Sequence, residues 1–215
     1  MGKVMIIGGH GKIALLLAPL LKERGWEVSG VIRNAAQIDD VAAAGATPVV
    51  HDVVSASVDE LAALMAGQDA VVWSAGAGGG SAERTYAVDR DAAIRSMDAA
   101  AQAGVTRYVM VSYLGAGPDH GVPREDSFFP YAEAKAAADA HLRGTGLSWT
   151  ILGPGALTQD DPTGAVTTAA DPASRNTSRA NVALVAAAVL GRPDTVRRTI
   201  EFTDGDVPIA QALNP

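Results

Sequence analysis

The sequence contains no cysteine. This absence excludes disulfide bonds, thiolate-bound zinc, iron–sulfur clusters and cysteine nucleophiles. A chain without disulfides suits a reducing compartment, so we expect a cytoplasmic protein. Long apolar runs are missing as well. The first run, residues 4–7, is far shorter than a signal-peptide core or a membrane span, so we expect no membrane partner.

Charge is sparse and mostly negative. Charged residues make up 19% of the 215-residue chain, and 24 acidic against 17 basic residues leave a formal net charge of −7. Such a charge opposes attraction to phosphate backbones unless a local basic patch is present. The lysines and arginines are scattered along the sequence, so we expect no nucleic-acid partner.

Signatures of metal sites and hydrolases are lacking too. The four histidines are not spaced as metal ligands, so we predict no metal site. The sequence has no Gly-x-Ser-x-Gly elbow, which argues against a hydrolase. The histidines are His10, His51, His120 and His141.

What the sequence does contain is an alternation of short β-branched runs with longer stretches rich in alanine and leucine, at 48% hydrophobic residues. At this length we expect one domain, residues 1–215. The pattern predicts strands near 3–8, 27–32, 47–50, 70–73, 107–112, 148–152 and 199–202. It predicts helices near 11–24, 38–44, 58–65, 84–103, 131–143 and 181–190. We therefore predict an α/β fold, a single Rossmann-type, doubly wound, mostly parallel sheet of about seven strands with helices on both faces.

Two stretches resist regular assignment, residues 114–130 and 154–177, and both are rich in Gly, Pro, Asp and Thr. They follow the fifth and sixth predicted strands, at the carboxyl edge where open α/β sheets bind ligands. Loops this long inside a compact domain are usually functional or mobile. We expect these loops to contact a small-molecule substrate.

A glycine-rich turn follows the first predicted strand. It reads Gly8-Gly9-His10-Gly11-Lys12-Ile13-Ala14 and fits two overlapping dinucleotide-binding frames. Glycines let the backbone approach a diphosphate, and the following helix presents free N–H groups to the anion. A tight structural turn without a ligand is the alternative. The predicted cofactor contacts in this turn are Gly8, His10, Gly11, Lys12 and Ile13.

The end of the second predicted strand distinguishes NAD from NADP. An acidic residue there bonds the ribose 2′-hydroxyl of NAD, whereas an arginine accommodates the 2′-phosphate of NADP. The strand ends in Arg33 and Asn34, and the nearest acids, Glu27 and Asp39, lie at its other end and in the next helix. We therefore predict NADP(H), with NAD(H) less favoured, and contacts from Arg33 and Asn34. An ordinary solvated arginine is the alternative for Arg33.

The ends of the third and fourth strands reach the same crevice, so further contacts are predicted there. Asp52 would accept a hydrogen bond from the adenine amino group, and the small residues after the fourth strand would pass close under the ribose. Plain turns are the alternative, since Asp, Ser and Gly favour turns in any case. The predicted contacts are Asp52, Val53, Ser74, Ala75 and Gly76.

Tyr131 and Lys135 lie four residues apart at the start of a predicted helix, so both project from one face. A neighbouring ammonium would lower the pKa of the phenol from its ordinary value near 10, so that Tyr131 exchanges a proton near neutrality. Ser112, at the end of the fifth strand, would hold a carbonyl oxygen. We predict these three as the catalytic residues. Two alternatives stay open: Tyr131 only packs while Lys135 is solvated, or Lys135 bonds the nicotinamide ribose.

Five segments carry a resemblance to a known family. They are Ile6-Ile7-Gly8-Gly9-His10-Gly11-Lys12-Ile13-Ala14, Val88-Asp89-Arg90-Asp91-Ala92-Ala93-Ile94, Tyr108-Val109-Met110-Val111-Ser112, Tyr131 with Lys135, and Ile151-Leu152-Gly153-Pro154-Gly155. Over essentially its whole length the chain resembles the atypical, compact short-chain dehydrogenases/reductases of the NAD-dependent epimerase/dehydratase-like type.

The resemblance implies a set of cofactor contacts and a catalytic set. The implied cofactor contacts are the glycine-rich turn, Arg33, Asp52, Ser74 to Gly76, Lys135 and Pro154. The implied catalytic residues are Ser112, Tyr131 and Lys135. Two positions depart from the family pattern: Ala14 replaces the usual last glycine, and Gly153 replaces an arginine common in relatives. The second change removes whatever substrate or loop contact that arginine makes.

The function predicted from these observations is that of an NADP(H)-dependent oxidoreductase that transfers a hydride to or from a small carbonyl or alcohol. A redox sensor that binds NADP(H) without chemistry is one alternative, since little sequence remains to build a substrate domain. An epimerase or dehydratase that retains its nucleotide is another. We expect a monomer or a small homo-oligomer.

Overall fold

The computed structural model describes residues 2–168 and 175–214. Its strands lie side by side in a nine-stranded sheet of order β11-β8-β10-β6-β5-β4-β1-β2-β3 and a separate parallel pair, β7-β9. The strands are β1 Lys3–Ile7, β2 Glu27–Ile32, β3 Thr47–Val50, β4 Ala70–Trp73, β5 Arg107–Val111, β6 Ser148–Pro154, β7 Ala156–Thr158, β8 Ala165–Thr167, β9 Asn176–Ser178, β10 Arg198–Asp204 and β11 Val207–Pro208.

The helices connect these strands and cover the sheet. They are α1 Lys12–Glu23, α2 Ile38–Ala43, α3 Val58–Met65, α4 Ala82–Thr85, α5 Ala93–Gln102, α6 Phe129–Gly144, α7 Arg179–Leu190 and α8 Ile209–Ala212. Short 3₁₀ turns precede α2 and follow α7, and a π-helical segment, Tyr86–Ala92, joins α4 to α5. The helix predicted at 84–103 is therefore three consecutive helical segments.

Both faces of the sheet are buried, as the apolar strands predicted. In β1, Val4 and Ile6 pack into a core with α1 and α7, while Met5 and Ile7 pack into a second core with α3 and α5. All four side chains are at most 2% exposed. Seven neighbouring strands, β1 to β6 and β10, pair in parallel. This confirms the predicted doubly wound, Rossmann-type α/β fold.

The sheet is larger than the predicted seven strands. Two short strands, β8 and β11, extend its edge in antiparallel pairing beyond β10. The stretch 154–177 was expected to be irregular, but within its described residues it holds β7, β8 and the start of β9. Strands of two or three residues are too short to show a two-residue alternation, which is why the sequence pattern missed them. Residues 169–174 of that stretch lie outside the described residues.

The sheet order places one crevice at a defined point. The chain runs outward from β1 to β2 and β3, then returns to the other side of β1 to form β4, β5 and β6. Open parallel sheets bind ligands beyond the carboxyl ends of the strands where the order reverses, here between β1 and β4. Among the described residues, no helix has the length and apolar character needed to cross a bilayer.

Candidate functional site

The glycine-rich turn packs tightly between the ends of β2 and β4. The N–H groups of Gly8 and Gly9 both donate to the carbonyl oxygen of Val31, at 3.2 and 2.8 Å. Gly8 has a φ of +87°, and a β-carbon on it would lie 2.6 Å from the backbone of Ala75. A β-carbon on Gly9 would lie 2.7 Å from the α-carbon of Gly30. Only glycine fits both positions, and the turn delivers the chain directly into α1.

The N-terminus of α1 has free hydrogen-bond donors. Its cap, Gly11, supplies no side-chain hydrogen bond, and the first turn contains no acidic residue. The first N–H groups of a helix have no intrahelical partner, and the helix dipole makes this end attractive to anions. The backbone of Lys12 and Ile13 therefore fits a diphosphate, although the side chain of Lys12 points into solvent and that of Ile13 is buried.

Next to this turn lies a cleft of about 440 Å³, which we call the turn-side cleft. Arg33 is exposed in it and forms no ion pair with any residue that the structure describes. His10 pairs with Asp40 at 2.8 Å, and Asp52 accepts a hydrogen bond from the N–H of Val54 at 3.0 Å. The predicted residues that line the cleft are Gly8, His10, Gly11, Arg33, Asp52, Val53, Ser74, Ala75 and Gly76.

Five predicted cofactor contacts do not line this cleft, namely Lys12 and Ile13 at the start of α1 and Asn34, Lys135 and Pro154. Asn34 uses its side-chain oxygen to cap the 3₁₀ turn, where it accepts from the N–H of Ala36 at 3.0 Å. Lys135 is buried on α6, and Pro154 is the last residue of β6. Contacts from these side chains to a cofactor stay predictions.

A second cavity of about 450 Å³, which we call the inner cavity, continues the turn-side cleft. The two share Ser74, Ala75 and Gly76, so one groove runs from the glycine-rich turn across the end of β4. At its far end the inner cavity is lined by Ser112 and Tyr131. The structure thus brings two of the three predicted catalytic residues to the same groove as the turn.

The third, Lys135, belongs to a buried charged cluster under the inner cavity. It is 1% exposed, its Nζ donates to the carbonyl oxygen of Val111 at 2.8 Å, and Asp89 and Asp139 act on it through space. Asp139 is fully buried and accepts a hydrogen bond from Ser112 Oγ at 2.6 Å. Asp89, 1% exposed, accepts from the N–H of Ala77 at 3.0 Å. With one ammonium and two carboxyls, the cluster is neutral when one carboxyl is protonated.

The pKa shifts in this cluster follow from burial. Desolvation raises the pKa of Asp89 and Asp139, and the ammonium of Lys135 only partly opposes it. Desolvation also lowers the pKa of Lys135 against the opposing effect of the two carboxylates. One carboxyl oxygen of Asp139, Oδ1, has no hydrogen-bond partner in the part of the chain that the structure describes. A proton on the carboxyl of Asp139 would therefore make the cluster neutral, and Oδ1 is free to hold it.

The expectation that Lys135 lowers the pKa of Tyr131 is wrong. Burial raises the pKa of the phenol, and the nearby carboxyls of Asp89 and Asp139 raise it further. The reason is that the Lys135 ammonium is bound to a β5 carbonyl and lies among acids. Tyr131 therefore keeps its proton near neutrality, and its hydroxyl can donate a hydrogen bond.

Comparison with known proteins shows the family of this chain. A family model described as NAD(P)H-binding matches residues 8–193. The chain belongs to this NAD(P)H-binding family. It is 36% identical over 213 residues to an uncharacterized sugar epimerase, YhfK, of Bacillus subtilis (strain 168), with 98% of each chain covered.

Solved structures give the same result. An NAD-dependent epimerase/dehydratase candidate from Bacillus halodurans superposes with a TM-score of 0.90 at 32% identity, over 99% of both chains. The oxidoreductase ylbE from Lactococcus lactis superposes with a TM-score of 0.85 at 25% identity, over 98% of this chain and 94% of that one. The resemblance to compact NAD(P)-binding, epimerase/dehydratase-like proteins is confirmed, and so is a nicotinamide cofactor at the level of NAD(P)H.

Several residues of the groove escaped the sequence analysis. Asp139 continues the four-residue spacing of Tyr131 and Lys135, a signal that was present in the sequence. Asp89 is brought in by the π-helical segment, which a 3.6-residue period does not predict. His51 lines the turn-side cleft, and its buried Nε2 has no hydrogen-bond partner among the described residues. This orphaned atom fits a ligand in the cleft. Gln37 and Arg84 also line it.

The four histidines do not form a cluster of metal ligands among the described residues. His10, His120 and His141 each pair with a carboxylate, namely Asp40, Glu133 and Asp98. Within residues 2–168 and 175–214, no group of three acidic or histidine side chains is arranged to hold a metal ion.

Proposed function

We propose that this protein is an NADP(H)-dependent oxidoreductase that reduces a small carbonyl compound. The observation that carries the proposal is that Ser112 and Tyr131 both line the groove that begins at the glycine-rich turn. When bound, the dihydronicotinamide supplies a hydride to the carbonyl carbon. The residues of this chain then have to bind the nucleotide, orient the carbonyl and deliver one proton to its oxygen.

The nucleotide would be held at three points along the groove. The turn and the N-terminus of α1 offer backbone N–H groups to the diphosphate. Arg33, exposed at the end of β2 without an ion-pair partner among the described residues, suits the 2′-phosphate of NADP. Ser74, Ala75 and Gly76 leave room where the two cavities join.

The electrostatics favour the direction of reduction. A carbonyl that accepts a hydride also needs a proton, and the raised pKa of Tyr131 keeps its proton in place until the oxygen becomes basic. Ser112 lies beside it and is hydrogen-bonded to Asp139. When Asp139 is protonated it donates to Ser112, and Ser112 in turn donates into the cavity. The pair would then orient the carbonyl oxygen.

We favour this reaction over nucleotide-retaining epimerisation, the activity that the name of the Bacillus subtilis relative indicates. Epimerisation through an oxidised intermediate begins with removal of a proton from a substrate hydroxyl, which needs a base. Burial raises the pKa of Tyr131, so little phenolate is present near neutrality to act as that base. A non-catalytic redox sensor would not need both Ser112 and Tyr131 on the nucleotide groove.

The test is NADPH oxidation by wild-type protein over a panel of aldehydes and ketones, compared with the variant Tyr131→Phe. We expect turnover to fall at least about 100-fold in the variant, because a general acid contributes that much, while NADPH affinity by calorimetry stays within a factor of about two. Tyr86→Phe is the matched control, since Tyr86 stacks under Arg90 on the π-helical segment. Unchanged turnover in Tyr131→Phe, or product formation without net NADPH consumption, would reject the proposal.

A further inference from the structure

A third cavity of about 520 Å³ opens from the inner cavity on the side away from the turn, and we call it the aromatic cavity. Three of its rings contact one another: Tyr113 lies 5.3 Å from Phe128 and 5.6 Å from Tyr131, and Phe128 lies 5.2 Å from Tyr131, between ring centroids. Ser112 and Tyr131 line both cavities. A molecule in the aromatic cavity therefore reaches the proposed proton donor.

Two large apolar side chains are exposed at this cavity. Phe128 is 42% and Leu157 39% exposed. Leaving such surface in water is unfavourable, and apolar patches in concave sites commonly mark where a ligand packs. The flat rings and the leucine favour a flat apolar ligand.

The charge of the cavity is opposite to that of the protein. Arg175 and Arg179 line it, no acidic residue lines it among the described residues, and the chain as a whole carries −7. Arg179 is held in place by the carbonyl oxygens of Leu157 and Thr158, at 3.2 and 2.7 Å. Arg175 is exposed, and its side chain forms no ion pair with the described residues. The cavity thus has one positioned guanidinium, that of Arg179, and one without an ion pair among the described residues, that of Arg175. Two such groups in an apolar cavity suit a carboxylate.

From this combination we infer that the substrate is a flat, apolar carbonyl compound that carries a carboxylate, with its rings on the aromatic cluster and its carboxylate on Arg175 and Arg179. This inference rests on the proposed function and names its substrate class. A sugar is a poor fit, because the cavity offers a sugar's many hydroxyls only the serine, the two tyrosines and the two arginines as side-chain partners.

The experiment measures binding rather than turnover. Calorimetry compares 2-naphthoate with neutral 2-naphthamide, which has the same ring, on the wild-type chain with and without NADP⁺. We expect the carboxylate to bind at least about tenfold more tightly, because a charge-assisted hydrogen bond is worth that factor. Arg175→Gln should remove the preference and Arg175→Lys should restore part of it. Arg24→Gln, an exposed arginine at the end of α1, is the matched control and should keep the preference.

Three results would overturn the inference: equal affinity of the two ligands for wild-type protein, no binding of either, or the same loss in Arg24→Gln as in Arg175→Gln. Thermal unfolding of each variant shows whether it is folded. The inference and the proposed function fail separately. A protein that prefers the carboxylate but oxidises no NADPH rejects only the proposed reaction, whereas one that reduces carbonyls without that preference rejects only the substrate class.

Discussion

Arg33 is the residue on which the proposed preference for NADP(H) depends. It follows β2, lies exposed in the turn-side cleft and forms no ion pair with the described residues. An acid at this place would bond the ribose 2′-hydroxyl of NAD and repel a phosphate, whereas an arginine attracts one. Because this interaction is between opposite charges, we expect Arg33 to affect the binding of NADP(H), which carries the phosphate, and not that of NAD(H).

We predict that Arg33→Ala raises the Kd of NADPH about tenfold or more and leaves the Kd of NADH within a factor of about two. The loss corresponds to one charge-assisted contact to phosphate. Titration of both nucleotides by protein fluorescence checks this, with Arg24→Ala as the control. Equal weakening of both nucleotides would mean that Arg33 supports the cleft rather than reads the phosphate.

Single residues also mark where sequence reasoning ends. Ser112 and Tyr131 were predicted from their positions and types, and the structure brings them to one groove. Lys135 was assigned to Tyr131 because a four-residue spacing shows a shared helix face, but spacing does not show what packs against that face. The charged partner of Lys135 from outside the helix is Asp89, 46 residues earlier in the chain. Only the folded chain reveals such a neighbour.

At the scale of elements, the approach of the glycine-rich turn to β2 fixes the start of α1. Gly9 faces Gly30 backbone to backbone, so neither side has a flexible side chain that could move aside. The N–H of Gly9 also donates to Val31 at 2.8 Å and holds the turn against the strand. A change of the turn therefore displaces the helix N-terminus with it.

We predict that Gly9→Ala destabilises the fold by about 1–3 kcal/mol, the usual cost of overpacking, and weakens NADPH binding. Gly146→Ala is the control, because a β-carbon on Gly146 meets no atom within 4 Å, and its change should stay within about 0.5 kcal/mol. Urea unfolding followed by circular dichroism gives both values. A Gly9→Ala protein as stable as the control would show that the two backbones can separate at little cost.

At the scale of the whole molecule, the apolar pattern was sufficient to predict the parallel sheet and its two covered faces, since β1 to β6 and β10 are long enough to show it. The antiparallel edge formed by β8 and β11 could not be predicted, because strands of two or three residues are too short to show a periodic pattern. The aromatic cavity was equally hidden. It combines residues that follow β5, precede α6 and border β9, and their proximity depends on the complete fold.

The buried cluster of Asp89, Lys135 and Asp139 joins the π-helical segment to α6, and it makes the stability of the whole fold depend on pH. The pKa of Asp139 is raised above its ordinary value of 3.8, so the folded state binds a proton more readily than the unfolded state. Its contribution to stability is therefore greatest at low pH and falls as the pH rises from about 3.8 through the raised value.

Asp139→Asn tests this, because asparagine can still accept the hydrogen bond of Ser112 but does not titrate. We predict that the free energy of unfolding of wild type minus that of the variant decreases as the pH rises above about 3.8, with a slope of at most about 1.4 kcal/mol per pH unit for one proton. Urea unfolding at successive pH values measures it. The exposed Asp206→Asn serves as the control for the loss of one carboxylate outside the cluster. A flat difference for Asp139→Asn, or one that increases with pH, would mean that the folded chain holds Asp139 as a carboxylate and that Lys135 outweighs the cost of its burial.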